Sequence, residues 1–136
     1  MFFLFVFSVA LAQTPWLVEA NSPYLRGHSM DPLTWQGWDL EVFAIAEELD
    51  LPIFLFLGSS RCDCSQKEEV IFTDERTAQL ADKFVPLLVD ESLLPGVGLT
   101  YRTAMDEGGA SVPLALFLTP EGLPYGRTAV DLPEAF

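Results

Sequence analysis

Cys62 and Cys64 are the only cysteines in the chain, and a single residue, Asp63, separates them. They follow an apolar run, Pro52 to Leu57, and a breaker, Gly58-Ser59-Ser60. A helix opening at Cys62 puts its thiol among unpaired N–H groups at the positive end of the helix dipole, and both favour thiolate, the nucleophilic form. Arg61 adds to that field, and Asp63, Glu68 and Glu69 oppose it. The chemistry on offer is thiol–disulfide exchange, with Cys62 attacking and Cys64 resolving the mixed disulfide. On a regular helix, positions i and i+2 diverge by about 200°. A Cys62–Cys64 bond therefore requires a non-helical first turn and is strained, hence easily reduced. Two further readings stand beside this one. The cysteines could sit on a redox-silent domain that only binds a partner. They could also join His28, the sole histidine, as soft ligands for zinc or copper. A lone histidine is more often a packed structural residue, and no metal or other cofactor is expected. The sequence holds no nucleophile elbow, phosphate loop or metalloprotease helix.

The elements around the cysteines follow from patterning. Residues 13 to 37 are rich in turn formers and aromatics, among them Pro15, Trp16, Pro23, Tyr24, Pro32 and Trp35. They read as an irregular, extended arm packed onto the domain. Asp39 caps a helix running to about Leu49, with Leu40, Phe43, Ala44, Ala46 and Leu49 as its apolar face. Pro52 to Leu57 has the length and unbroken apolarity of a central buried strand. Helices are expected from Cys62 to Phe72 and from Thr73 or Asp74 to Lys83. Phe84 to Asp90 is a second buried strand, with Pro86 weakening its pairing on one side. A loop over Ser92 to Gly98 leads to a short helix from Leu99 to Met105. Leu114 to Leu118 and Tyr125 to Val130 form a hairpin about the tight turn Pro120-Glu121-Gly122.

Composition bounds the rest. The chain has 136 residues, half of them apolar, and a net charge of −13. That length suits one domain with one real core. Such an excess of acid repels phosphate backbones and anionic lipid, which argues against nucleic-acid binding. Residues 2 to 12 carry no charge and only one polar side chain, Ser8. The run is too short to span a bilayer but fits the apolar core of a signal peptide, with Ala10-Leu11-Ala12 as the cleavage site. The expectation is a secreted or periplasmic protein with no stable membrane span after processing. Its parts would be residues 1–12 as signal peptide, 13–37 as arm and 38–136 as the domain. In an oxidising compartment two nearby cysteines persist as a disulfide.

Helix-separated strands imply parallel pairing with right-handed crossovers, and the terminal hairpin adds an antiparallel edge. This α/β order is that of a thioredoxin-like sandwich: a central mixed sheet, flanking helices and a cysteine-bearing turn after the first long strand. In that fold a proline entering the third strand lies beside the cysteines in a cis peptide. The Val112–Pro113 bond is expected to be that peptide, with Pro113 shaping a substrate groove and Val112 offering backbone groups to a bound peptide. The fold's C-terminal helix is expected to be truncated or absent.

The ordered set Ser22-Pro23-Tyr24-Leu25, His28, Pro32, Trp35, Trp38, Pro52-Ile53-Phe54-Leu55, Gly58, Ser60, Asp90, Pro95, Val97, Tyr101, Pro113-Leu114 and Leu118-Thr119-Pro120 goes further. It resembles the thioredoxin-like domain of the spermatogenesis-associated protein 20 family, also described as DsbH-like, over about residues 17 to 130. The resemblance implies partners that are protein thiols or disulfides. Three departures stand out. The family motif is Cys-x-x-Cys with His and Trp between the cysteines, whereas one residue intervenes here. Val112 stands where the family usually has Trp. Glu91-Ser92-Leu93-Leu94 stands for an acidic stretch. Longer members continue into a helical barrel that resembles sugar epimerases, and no sugar-directed activity is carried over to these residues.

Overall fold

The computed structural model describes residues 14–59, 75–79, 81–104 and 114–128. The expected signal peptide, the cysteine turn with its helix and the Val112–Pro113 bond lie outside them. Four strands form one sheet in the order β2-β1-β3-β4. They are β1 (Ile53–Gly58), β2 (Val85–Asp90), β3 (Leu114–Leu118) and β4 (Pro124–Thr128). β1 runs parallel to β2 and antiparallel to β3, and β3 is antiparallel to β4. The mixed sheet and flanking helices are the α/β class read from the sequence.

β1 is central because both its faces are apolar. Successive strand side chains point to opposite faces, and here the two faces are chemically distinct. Phe54 and Phe56 enter one cluster with Leu17, Leu25, Leu33, Trp35, Phe84, Leu88 and Ala115. Ile53, Leu55 and Leu57 enter a second with Val42, Ala46, Val85, Leu87, Val89, Tyr101, Leu114, Leu116 and Leu118. Burial of each such side chain contributes about 2 kcal/mol, so β1 is the strand on which both halves of the core depend.

The arm covers the phenylalanine face. It was expected to be irregular, yet it holds two short helices, α1 (Pro15–Val18) and α2 (Pro23–Gly27). Both begin with proline at the first helical position, where the missing N–H costs nothing and the fixed φ suits a helix. The arm then reaches the sheet's edge. Gln36 N–H donates to Pro86 O at 2.8 Å, and Leu88 N–H donates to Gln36 O at 3.0 Å. Pro86 is tolerable because β2 is an edge strand. Val85 N–H points to Pro52 O on the β1 side, so the next nitrogen, that of Pro86, faces outward.

The aliphatic face is covered by α3 (Leu40–Leu49), capped by Asp39 as expected. Its buried residues are Val42 and Ala46, with Phe43 and Ile45 packed alongside. The expected face was misjudged: Leu40 is 85 % exposed, and Ala44 and Leu49 are also exposed. At 100° per residue Leu40 and Ala44 lie about 160–200° around the helix from Val42, on the side opposite the buried face, and Leu49 is the last residue of the helix. A short helix, α4 (Glu75–Gln79), and a 3-10 turn (Ala81–Lys83) precede β2. α5 spans Pro95–Ala104, so the expected loop over Ser92 to Gly98 is mostly helix. Pro95 and Gly96 are poor interior residues but stand in its first turn, where proline is favoured. None of the described helices is long and apolar enough to cross a membrane.

Candidate functional site at the carboxyl ends of the central strands

In open α/β sheets, sites form beyond the carboxyl ends of the strands. Here those ends are Gly58 of β1 and Asp90 of β2, which are register partners. Glu91 N–H donates to Gly58 O at 2.8 Å and extends the pairing by one residue. On the other side of β1, Leu57 pairs with Leu114, the first residue of β3. Segment 60–74, which carries Cys62 and Cys64, and segment 105–113, which carries Val112 and Pro113, therefore both connect to the same end of the sheet. The side chains of these four residues lie outside the described part.

Asp90 is a carboxylate with 2 % exposure. It persists there because both oxygens are supplied with donors, which an unpaired buried charge would lack. Ser22 Oγ donates to Oδ2 at 2.6 Å. Ser92 N–H and Ser92 Oγ donate to Oδ1 at 2.9 and 2.5 Å. Ser22 is also the N-cap of α2, its oxygen accepting from Leu25 N–H at 3.2 Å. One arm hydroxyl thus both starts a helix and neutralises the demand of a buried acid on the sheet.

Tyr24 stands on the first turn of α2 with its hydroxyl against Gly58. A Cβ on residue 58 would coincide with the Tyr24 hydroxyl and the ring carbon that bears it. Glycine is required at 58 by this close approach, not by backbone angle. The edge of Tyr24 meets the His28 ring at 4.8 Å between centroids. His28 Nδ1–H donates to Asp31 Oδ2 at 2.5 Å, and Trp35 Nε1–H donates to the same oxygen at 2.8 Å. Sequence alone marks His28 as a packed residue and does not pair it with Asp31. The available signal was their spacing of three in a turn, followed by a tryptophan four residues beyond the acid. These contacts run without a break from Asp31 in the arm, through His28 and Tyr24, to Gly58 at the end of β1.

Beyond β2, Glu91 forms a two-pronged ion pair with Arg102, in the last turn of α5. A side chain at Gly98 would strike the Glu91 carboxylate. Among the described residues, no three His, Cys, Asp or Glu side chains gather as metal ligands would.

Comparison with known proteins places this geometry. A family model described as Thioredox_DsbH, a protein of unknown function, DUF255, matches residues 14–132. Spermatogenesis-associated protein 20 of Homo sapiens is 34 % identical over 113 residues, covering 80 % of this chain and 14 % of that protein. The rat protein of the same name matches equally, at 34 % over 113 residues. An uncharacterised protein of Caenorhabditis elegans is 37 % identical over 109 residues, or 77 % of this chain and 15 % of that protein. The chain thus spans about a seventh of the length of the curated relatives it matches. Among solved structures, a thioredoxin from Thermus thermophilus superposes with a TM-score of 0.58 at 24 % identity, over 76 % of this chain and 80 % of that one. That likeness establishes the thioredoxin-like fold.

Proposed function

The chain belongs to the Thioredox_DsbH family, and from that membership and its thioredoxin-like fold we propose that it is a thiol–disulfide oxidoreductase, an oxidant or isomerase, acting on exported proteins through Cys62 and Cys64. The observation that carries the reading is the pairing of Leu57 with Leu114. It supports bringing the cysteine segment and the Val112–Pro113 segment to one end of the sheet, as a peptide-binding thiol centre needs.

The exchange balances as follows. In the oxidant direction a substrate thiolate attacks Sγ of Cys62 in the Cys62–Cys64 disulfide, and Cys64 leaves as thiolate. A second substrate thiolate then displaces Cys62. The substrate gains a disulfide, the protein holds two thiols, and a low-molecular-weight disulfide reoxidises it. As isomerase, the Cys62 thiolate opens a wrong disulfide and forms a mixed disulfide; a different substrate thiolate then attacks the substrate sulfur of that bond, forming the rearranged disulfide and releasing Cys62 as thiolate. Val112 presents backbone groups to the substrate, and Pro113 shapes its groove.

The test is equilibration with glutathione redox buffers, followed by alkylation and mass analysis. The expected potential lies above roughly −300 mV, the upper bound of typical structural disulfides. Cys62→Ser abolishes exchange with a model disulfide, and Cys64→Ser traps mixed disulfides. Equal, slow exchange by wild type and Cys62→Ser overturns the enzyme reading. It favours instead a redox-silent protein-binding module, which the single-residue cysteine spacing would suit. Export is tested by the mass of the mature protein: removal after Ala12 is expected, and a soluble form retaining Met1 to Ala12 refutes it.

A further inference from the structure

Away from the strand ends, the junction of arm and α3 forms an open pocket of about 440 Å³. Trp16 and Trp38 line it, with Gly37 between them and Asp39 and Glu41 beside them. Both indoles are held from behind. Trp16 Nε1–H donates to Trp35 O at 2.8 Å, and its six-membered ring lies close over Gly37, 3.4 Å from where a Cβ would stand. Trp38 packs edge-on against Phe43 and Tyr101, with centroids at 5.6 and 6.0 Å. Despite these contacts the two remain 37 % and 38 % exposed. Large aromatics are normally more covered than this, and two fixed beside one cavity make a preformed recognition surface.

The charge around the cavity selects the ligand. Two of the lining residues are acidic, Asp39 and Glu41, and none is lysine or arginine. The amino end of α3 contributes about half a positive charge, which the Asp39 and Glu41 carboxylates outweigh. Two indoles with a net negative rim suit a cation, which gains from ring faces as well as from the carboxylates. The volume exceeds what a charged head alone needs, so the methylene stem of a side chain enters with it.

We propose that this cavity receives an arginine or lysine side chain presented by a protein partner. It is a binding site separate from the cysteine segment, and it does not rest on the thiol-exchange reading.

The test follows the three indole N–H signals of the ¹⁵N-labelled full chain. Trp35 is fully buried and serves as an internal control. Titration with N-acetyl-arginine amide is expected to shift the Trp38 and Trp16 signals and leave Trp35 in place. N-acetyl-citrulline amide, the uncharged isostere, is expected to bind at least roughly fivefold more weakly, the worth of two exposed charge contacts. The double variant Asp39→Asn, Glu41→Gln keeps the helix cap, because Asn caps as well as Asp. It is expected to lose the same factor while its melting temperature holds. If the variant fails to fold, wild-type binding is titrated with salt and must weaken as screening rises. Equal shifts with citrulline, no shift with either probe, or salt-insensitive binding overturns the proposal. Binding of tetramethylammonium without binding of the arginine amide overturns the protein-partner assignment.

Discussion

Ser22 Oγ lies 2.6 Å from Asp90 Oδ2, and the two residues are 68 positions apart in the chain. This contact fastens the arm to the end of β2, and the serine performs it while capping α2. Ser22→Ala removes the cap and leaves a buried carboxylate oxygen without its donor. We expect a loss of about 2–3 kcal/mol in urea denaturation. Because Asp90 shares the contact, Ser22→Ala and Asp90→Asn should be clearly non-additive in a double-mutant cycle. Strict additivity would show that the hydrogen bond carries no stability of its own.

Gly58→Ala should destabilise by about 2 kcal/mol through overpacking against Tyr24. Tyr24→Ala in the same chain should recover part of that loss, since the obstructing ring is gone. Denaturation of the two single variants and the double variant measures the coupling. An unchanged midpoint for Gly58→Ala would mean that Tyr24 does not stand on this glycine in solution.

Asp50 ends α3 at φ 53°, the only non-glycine residue with positive φ among those described. It also adds a negative charge to a helix end already carrying Glu47 and Glu48, where the dipole disfavours anions. Asp50→Gly should therefore stabilise the protein by about 1 kcal/mol. A loss of stability would show that the Asp50 side chain has a role that its backbone position does not reveal.

Burial raises the Tyr101 hydroxyl above its ordinary value of 10.0, and the group donates to Gly122 O at 2.9 Å. The folded state therefore holds this proton at pH values where the unfolded chain releases it. The resulting stability is full below about pH 10 and declines as pH rises through the folded value. Tyr101→Phe should flatten that alkaline decline. Melting temperatures from pH 8 to 11 test this, and parallel curves for the two proteins would contradict it.

The parts of the fold legible in the sequence were those where local pattern and burial agree. Pro52 to Leu57 reads as a central strand because every residue is apolar, and β1 has both faces buried. The Pro120-Glu121-Gly122 turn is equally direct, with Gly122 at φ 88°. The buried face of α3 is not legible, because it carries apolar residues on both sides: Val42 and Ala46 meet the sheet, while Leu40 and Ala44, equally apolar, lie on the opposite side. The start of α5 is not legible because Pro95 and Gly96 signal a loop unless they fall in a first helical turn. The polar site was the least legible part. Nothing local in Ser22 or Asp90 marks them as partners, and only the folded sheet brings them together. His28 and Asp31 were close enough in sequence to be paired, but a lone histidine carries no periodic signal.

The arm's dependence on β2 has a consequence for how the protein is made. The ribosome delivers Leu17, Leu25, Leu33 and Trp35 well before the Phe54, Phe56 and Leu88 that cover them. At about 5–20 residues per second, the 68 positions from Ser22 to Asp90 take roughly 3–14 s to synthesise. Throughout that interval the apolar arm has no sheet to lie on. The nascent arm must therefore stay adhesive until the second strand emerges.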